Sequence, residues 1–76
     1  MQPATPPWIQ QARFELGNRI RDARLQADLT QEKLAELAGV DRTTVQNAES
    51  GKVDPKFSLI LRLARALHLP VRDLMP

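Results

Sequence analysis

Apolar residues recur along the chain at intervals of three and four, the spacing that lines side chains up on one face of a helix. The first series, Ile9, Ala12, Leu16, Ile20, Ala23 and Ala27, predicts a long helix beginning near Trp8. Gly17 falls in its middle. A glycine there costs about 1 kcal/mol against alanine, so either a close neighbour demands a small residue or the helix is weaker at that point. Trp8 and Phe14 are expected to cover the domain's own core, with a partner's surface as the alternative.

A second, shorter series begins after Thr30, an N-cap residue whose hydroxyl can accept from an orphan backbone N–H. Glu32 in the first turn suits the positive end of the helix dipole, whereas the third helical position is Lys33, so the reciprocal capping box is missing. Leu34, Leu37 and Ala38 form the apolar stripe, Ala35 is small enough for another helix to cross close by, and Gly39 ends the element. Asp41 is a second N-cap, and Val40 can staple against Val45. A third helix therefore runs from about Arg42 to Glu49 and is closed by Gly51. Two short helices joined by a tight turn result. At roughly 100° per residue, Val45 and Ala48 point inward while Thr43, Gln46, Asn47 and Ser50 point away.

Phe57, Ile60, Leu61, Ala64 and Leu67 predict the inner face of a fourth helix, widened by Leu63, with Leu59 on the other side. His68 stands where that helix stops, and Pro70 opens a last short helix with Val71 and Leu74 facing inward and Met75 at its end. No segment alternates with a strand period, so the expected class is all-α. Met1 to Pro7, with three prolines, reads as a flexible arm, Thr5 ahead of Pro6 being the expected helix start. The arm has no Lys or Arg and is not expected to touch a nucleic acid. Residues 8–76 then form one small domain, without linker, repeat or low-complexity tract.

Composition narrows the chemistry. The absence of cysteine removes disulfides, thiolate metal sites and thiol nucleophiles. No apolar run approaches the roughly 20 residues that span a bilayer, and the N-terminus lacks the pattern of a signal peptide, so the expectation is a soluble cytoplasmic protein without a membrane partner. The acids are dispersed along amphipathic helices and the single histidine has no evident partner, which argues against an enzyme, a metal site or a cofactor. The net charge of +2 and isoelectric point near 9.7 are mild for a nucleic-acid binder, so positive charge has to be placed locally. Arg13 and Arg21 read as part of a solvated basic face on the first helix.

The outer face of the third helix is short, polar and uncharged where a merely solvated helix would carry Lys and Glu. Hydroxyls and amides in that position suit hydrogen bonding to base edges in a major groove. The chain here resembles the lambda-repressor-like, Cro/C1-type helix-turn-helix domain of bacterial and phage regulators, from about Leu16 to Met75. The resemblance rests on four consecutive blocks, LGNRIRDAR, LTQEKLAELAGVDRTTVQNAESGK, DPKFSLILRLARAL and LPVRDLM.

It implies a five-helix bundle whose helices 2 and 3 are the helix-turn-helix, spanning residues 30–50, and a DNA-binding transcriptional regulator, a repressor among the expected forms, acting as a homodimer on a palindromic site. Arg42, Thr43, Gln46 and Asn47 would read bases; Gln31, Thr44, Lys52 and Lys56 would hold phosphates, a solvated loop lysine being the even alternative for Lys56. Arg24 would pair with Glu49, an otherwise poorly placed acid beside Val45. Asp28 and His68 stand where the family usually has the glycine that stops a helix, and Leu59 where it usually has a polar residue. Leu59, Val71, Leu74 and Met75, with Trp8 as a further contributor, are the expected dimer interface. The alternative is a protein-binding adaptor or antitoxin whose main partner is a second protein such as a toxin.

Overall fold

The computed structural model describes residues 4–76, and among them there are four α-helices, one 3-10 turn and no strand. The helices are α1 (Pro7–Gln26), α2 (Gln31–Ala38), α3 (Arg42–Ser50) and α4 (Phe57–Ala66); the 3-10 turn is Val71–Asp73. The expected fifth helix is thus a single tight turn, closed by Asp73 N donating to Pro70 O and Leu74 N to Val71 O. Such a short element gains too few bonds to offset helix nucleation and is held by its side chains instead. None of the helices described is long and apolar enough to cross a membrane.

Of the arm expected at residues 1–7, residues 1–3 lie outside those described. Ala4 to Pro6 precede the first helix and Pro7 is its first residue, so Pro6 rather than Thr5 takes the N-cap position. A proline at the first helical position loses nothing, because its missing N–H would have had no partner there. α1 has 20 residues.

Three of the helices end in the same way. In α1, Leu29 N donates to Arg24 O and Asp28 N to Leu25 O; in α2, Val40 N donates to Ala35 O and Gly39 N to Glu36 O; in α4, Leu69 N donates to Ala64 O and His68 N to Arg65 O. This is the Schellman pattern, in which a left-handed residue satisfies the last carbonyls and the apolar residue after it folds back on the helix. The left-handed residues are Asp28 (φ 56°), Gly39 (φ 73°) and His68 (φ 57°), and the apolar followers Leu29, Val40 and Leu69 all pack against the core. Asp28 and His68 therefore do adopt the conformation that a glycine takes more readily.

α1 and α2 both pack on α3, α2 also packs on α4, and α4 meets the C-terminal turn. Between them lie Leu16, Ile20, Leu34, Ala35, Ala38, Val45, Ala48, Ile60, Leu63, Ala64, Leu67 and Leu74. Full burial of each large side chain among these stabilises the fold by about 1.5–3 kcal/mol before entropy is counted. Five large apolar residues are placed differently from the sequence pattern. Trp8 and Phe14, expected over the core, are 73% and 46% exposed, Leu37 is 51% exposed, and on α4 the outward residues are Phe57 and Leu61 at 59% and 44%. α4 buries Ile60, Leu63, Ala64 and Leu67 with Leu59 half-buried beside them. Its sequence is apolar over most of its circumference, so periodicity permits two rotations of the helix, and packing against α2 selects one.

Candidate nucleic-acid interface

Helix α3 is built to be held from behind. Its buried residues are Val45, Ala48 and Glu49. At Gly17 of α1 an added Cβ would meet the backbone carbonyls of Ala48 and Glu49, at 2.7 Å from the first of them. The close neighbour, and not a weak helix, is thus what Gly17 serves. Arg24, in the last turn of α1, donates from Nε to Glu49 Oε2 at 2.7 Å and from Nη2 to Glu49 Oε1 at 3.1 Å. Its Nη1 donates to Leu29 O at 2.9 Å, and Gln31 Nε2 donates to Glu49 Oε1 at 3.1 Å. One buried guanidinium therefore ties the end of α1, the turn after it and the end of α3 together. Both charges are buried, and the fork-like double bond with added donors is the arrangement in which a buried pair is satisfied.

The pair expected from the sequence is present, and Gln31 is part of it. Expected at a phosphate, Gln31 gives its amide to Glu49 and supports the pair, with one N–H still available to an outside acceptor. Thr30 caps α2 as expected, its hydroxyl accepting from Lys33 N at 3.0 Å. Asp41 occupies the N-cap position of α3 with extended backbone, but its side chain makes no capping bond. The carbonyl of Asp41 accepts from Thr44 N and Val45 N, which leaves the N–H groups of Arg42 and Thr43 pointing out of the helix start.

On the opposite side of α3, Arg42, Thr43 and Gln46 are exposed and Asn47 is half-exposed, as the helical phase requires. Among the described residues their side chains form no hydrogen bond within the chain; the Asn47 carbonyl accepts from Ser50 Oγ. The phosphate candidates lie around this face. Gln31 lines a shallow cleft between the first turns of α2 and α3, with Thr30, Glu32 and the base-reading candidate Arg42. Thr44 and Lys56 line another, with Val40 and Arg62, and Lys52 is exposed in the loop directly after Gly51. The fold thus surrounds the uncharged strip Thr43, Gln46 and Asn47 with donors and cations from three separate segments.

Three residues of α1 also reach this region, Gln10, which the sequence pattern passed over, and Arg13 and Phe14, which it placed elsewhere. Gln10 Nε2 donates to Gly51 O at 3.1 Å. Arg13, expected in a solvated face, is half-buried, with Nη1 donating to Gln10 Oε1 at 3.4 Å and Nη2 3.6 Å from Asp54 Oδ2. The Phe14 ring lies against Gly51. The signal for these was their own spacing: positions 10, 13, 14 and 17 advance by threes and fours, as a second stripe beside the apolar one.

The expected interface residues divide differently. Leu74 is fully buried in the chain's own core, Val71 and Leu59 are half-buried against it, and Met75 is exposed. Leu74 is therefore removed from any surface, because the 3-10 turn uses it as its anchor. The large apolar residues left outside include Leu37 and Leu61, which line a groove between α2 and α4 edged by Arg62, Arg65 and His68.

A helix-turn-helix whose second helix is braced from behind and bare in front defines the class of protein, and comparison with known proteins agrees. The family described as Helix-turn-helix matches residues 20–74. An uncharacterised HTH-type transcriptional regulator of Archaeoglobus fulgidus is 39% identical over 59 residues, covering 78% of this chain and 84% of the relative. The restriction-modification controller protein C.AhdI from Aeromonas hydrophila is 39% identical with a TM-score of 0.80, over 82% of this chain and 94% of that one. The hypothetical transcription factor NHTF from Neisseria is 32% identical with a TM-score of 0.83, over 100% of this chain and 87% of that one. The chain belongs to the lambda-repressor-like, Cro/C1-type helix-turn-helix family, a family of transcriptional regulators and not of enzymes. Its relatives include archaeal as well as bacterial proteins.

Proposed function

We propose that the protein is a sequence-specific DNA-binding transcriptional regulator that works as a homodimer on a palindromic operator, with α3 in the major groove. The observation that carries this reading is the contrast across α3: Glu49 is fixed from behind by Arg24 and Gln31, while Arg42, Thr43, Gln46 and Asn47 face outward without partners in the chain. Arg42 can take guanine bidentately, Gln46 or Asn47 adenine, and Thr43 either a base edge or a thymine methyl. Thr44, Lys52 and Lys56, the N–H groups at the starts of α2 and α3, and the remaining N–H of Gln31 would hold phosphates and set the register.

Dimerisation follows from the size of the reading element. α3 has 9 residues and spans too few base pairs to specify a site by itself, and two-fold symmetry doubles the sequence read. The exposed apolar residues Phe57 and Leu61 of α4, with Met75, are the surface we assign to the second copy.

Selection of bound duplexes from a random DNA library, followed by sedimentation of the complex, tests the reading. The expected result is an inverted repeat with half-site centres about one helical turn, roughly 34 Å, apart, bound by two chains. Failure to enrich any sequence, together with salt-insensitive capture of a protein partner, would instead favour an adaptor or antitoxin.

A further inference from the structure

The first turns of α1 precede the stretch that matches the family, which begins at residue 20, yet they make specific contacts at one place. Gln10, Arg13, Phe14 and Gly17 share a face of α1, and this face meets the last turn of α3 and the loop that follows it. Gln10 Nε2 donates to Gly51 O at 3.1 Å, and Arg13 Nη2 lies 3.6 Å from Asp54. The fit of Phe14 is closer still. An added Cβ at Gly51 would sit 2.5 Å from Phe14 Cδ1, so Gly51 is required here for the contact as well as for its left-handed φ of 74°.

What these residues hold has little structure of its own. Among the described residues, no backbone hydrogen bond is donated by Lys52, Val53, Asp54 or Lys56, and the bond that closes α3, Gly51 N to Ala48 O, is long at 3.4 Å. A loop with so few internal bonds opens at low free energy unless neighbouring elements pin it. The pins are Gln10 at its start and Arg13 near its middle, with the Phe14 ring over Gly51. The cations carried by this loop are Lys52 and Lys56, both exposed.

We infer that Gln10, Arg13 and Phe14 are positioning residues for DNA binding: the N-terminal turns of α1 hold the loop Gly51–Lys56 so that Lys52 is presented to the phosphate backbone already ordered. This rests on the DNA-binding reading above. The physical gain is preorganisation, since a lysine on a pinned loop loses less conformational freedom on binding than one on a loose loop. Because phosphates carry no sequence information, the contribution is the same on every duplex. Because it acts through Lys52, it disappears when Lys52 is replaced.

The test uses the full chain, the duplex selected from the random library, and a scrambled duplex of the same length and composition. Affinities are measured over a range of salt for the wild type, Gln10→Ala, Phe14→Ala, Phe14→Leu, Lys52→Ala and the two doubles that combine Lys52→Ala with each alanine variant. Gln10→Ala and Phe14→Ala are expected to weaken binding to both duplexes by the same factor. The slope of log affinity against log salt is set by the phosphates neutralised, so only Lys52→Ala is expected to lower it by about 1. In the Lys52→Ala background neither variant should weaken binding further, and Phe14→Leu, which keeps an apolar cover on Gly51, should bind as the wild type does. If Phe14→Ala fails to fold, Gln10→Ala, which removes one hydrogen bond, decides alone.

Affinities unchanged by Gln10→Ala and Phe14→Ala, or losses that persist undiminished in the Lys52→Ala background, would overturn the inference and leave the DNA-binding reading standing. Losses confined to the selected duplex would also overturn it, by assigning these residues to the reading face of α3. A wild-type protein that binds neither duplex would defeat the DNA-binding reading itself.

Discussion

Gly17 of α1 lies directly against the backbone of Ala48 in α3, so close that a methyl group on Gly17 would stand 2.7 Å from the Ala48 carbonyl oxygen. The two helices thus meet backbone to backbone. Any side chain at this crossing would push α3 away from the helix that supports it.

Gly17→Ala is therefore expected to destabilise the protein although alanine is the better helix former by about 1 kcal/mol. The clash is with backbone, which cannot rotate aside, and overpacking of this kind costs typically 1–3 kcal/mol or more. Urea unfolding measures the balance. A stabilised Gly17→Ala variant would show that the crossing relaxes easily.

Breaking the pair behind α3 should cost more. Glu49→Ala leaves Arg24 buried without its carboxylate, which places the expected loss at about 3–5 kcal/mol. Gln31→Ala removes one hydrogen bond to that carboxylate and should cost about 1 kcal/mol. Denaturant unfolding of Arg24→Ala, Glu49→Ala and the double variant reports the coupling. Additive losses would mean that the contact contributes nothing of its own.

The front of α3 and the cations around it should separate in binding. Asn47→Ala and Thr43→Ala are expected to weaken binding to a selected duplex by roughly 1–3 kcal/mol each with little change on scrambled DNA. Lys52→Ala should weaken both and reduce the salt slope by about 1. Titration of the two duplexes at several salt concentrations distinguishes base reading from phosphate contact.

Asp28 and His68 hold left-handed backbone at the ends of α1 and α4. A side chain in that region costs roughly 1–2 kcal/mol, less for residues such as Asp and His that tolerate it. Glycine relieves this while adding freedom to the unfolded chain, and the net for Asp28→Gly or His68→Gly should be a gain of up to about 1 kcal/mol. A higher thermal midpoint is the expected reading; an unchanged or lower one would mean that the side chains make compensating contacts.

Leu61→Lys and Leu74→Lys should have opposite effects. Leu61 is exposed, so its replacement should leave the monomer folded and shift sedimentation toward monomer, with DNA affinity falling through lost dimerisation. Leu74 is fully buried, and an uncompensated ammonium there should unfold the domain. A Leu61→Lys variant that remains dimeric would send the interface elsewhere, with the exposed Trp8 end of α1 as the next surface to examine.

The sequence alone determined the helices that carry strong local punctuation. Thr30, Gly39, Asp41 and Gly51 bracket α2 and α3 because capping and left-handed backbone are properties of single residues and their immediate neighbours. The outward set on α3 followed from helical phase, and the Arg24–Glu49 pair from the resemblance and the awkwardness of an acid beside Val45. Tertiary packing decided what periodicity leaves degenerate. Ile60, Leu63, Ala64 and Leu67 were legible as core, but α4 is apolar on several sides, so only its contact with α2 turned Phe57 and Leu61 outward. The same held for Gly17, whose neighbour in α3 is distant in sequence, whereas Leu74 reads as inward-facing and the fold decided only that it anchors the chain's own core and is closed to a second copy. Gln10, Phe14 and Gly51 are joined across 41 and 37 positions by a hydrogen bond and a ring contact, and no local rule relates residues so far apart; they meet only because α1 crosses α3 at a glycine.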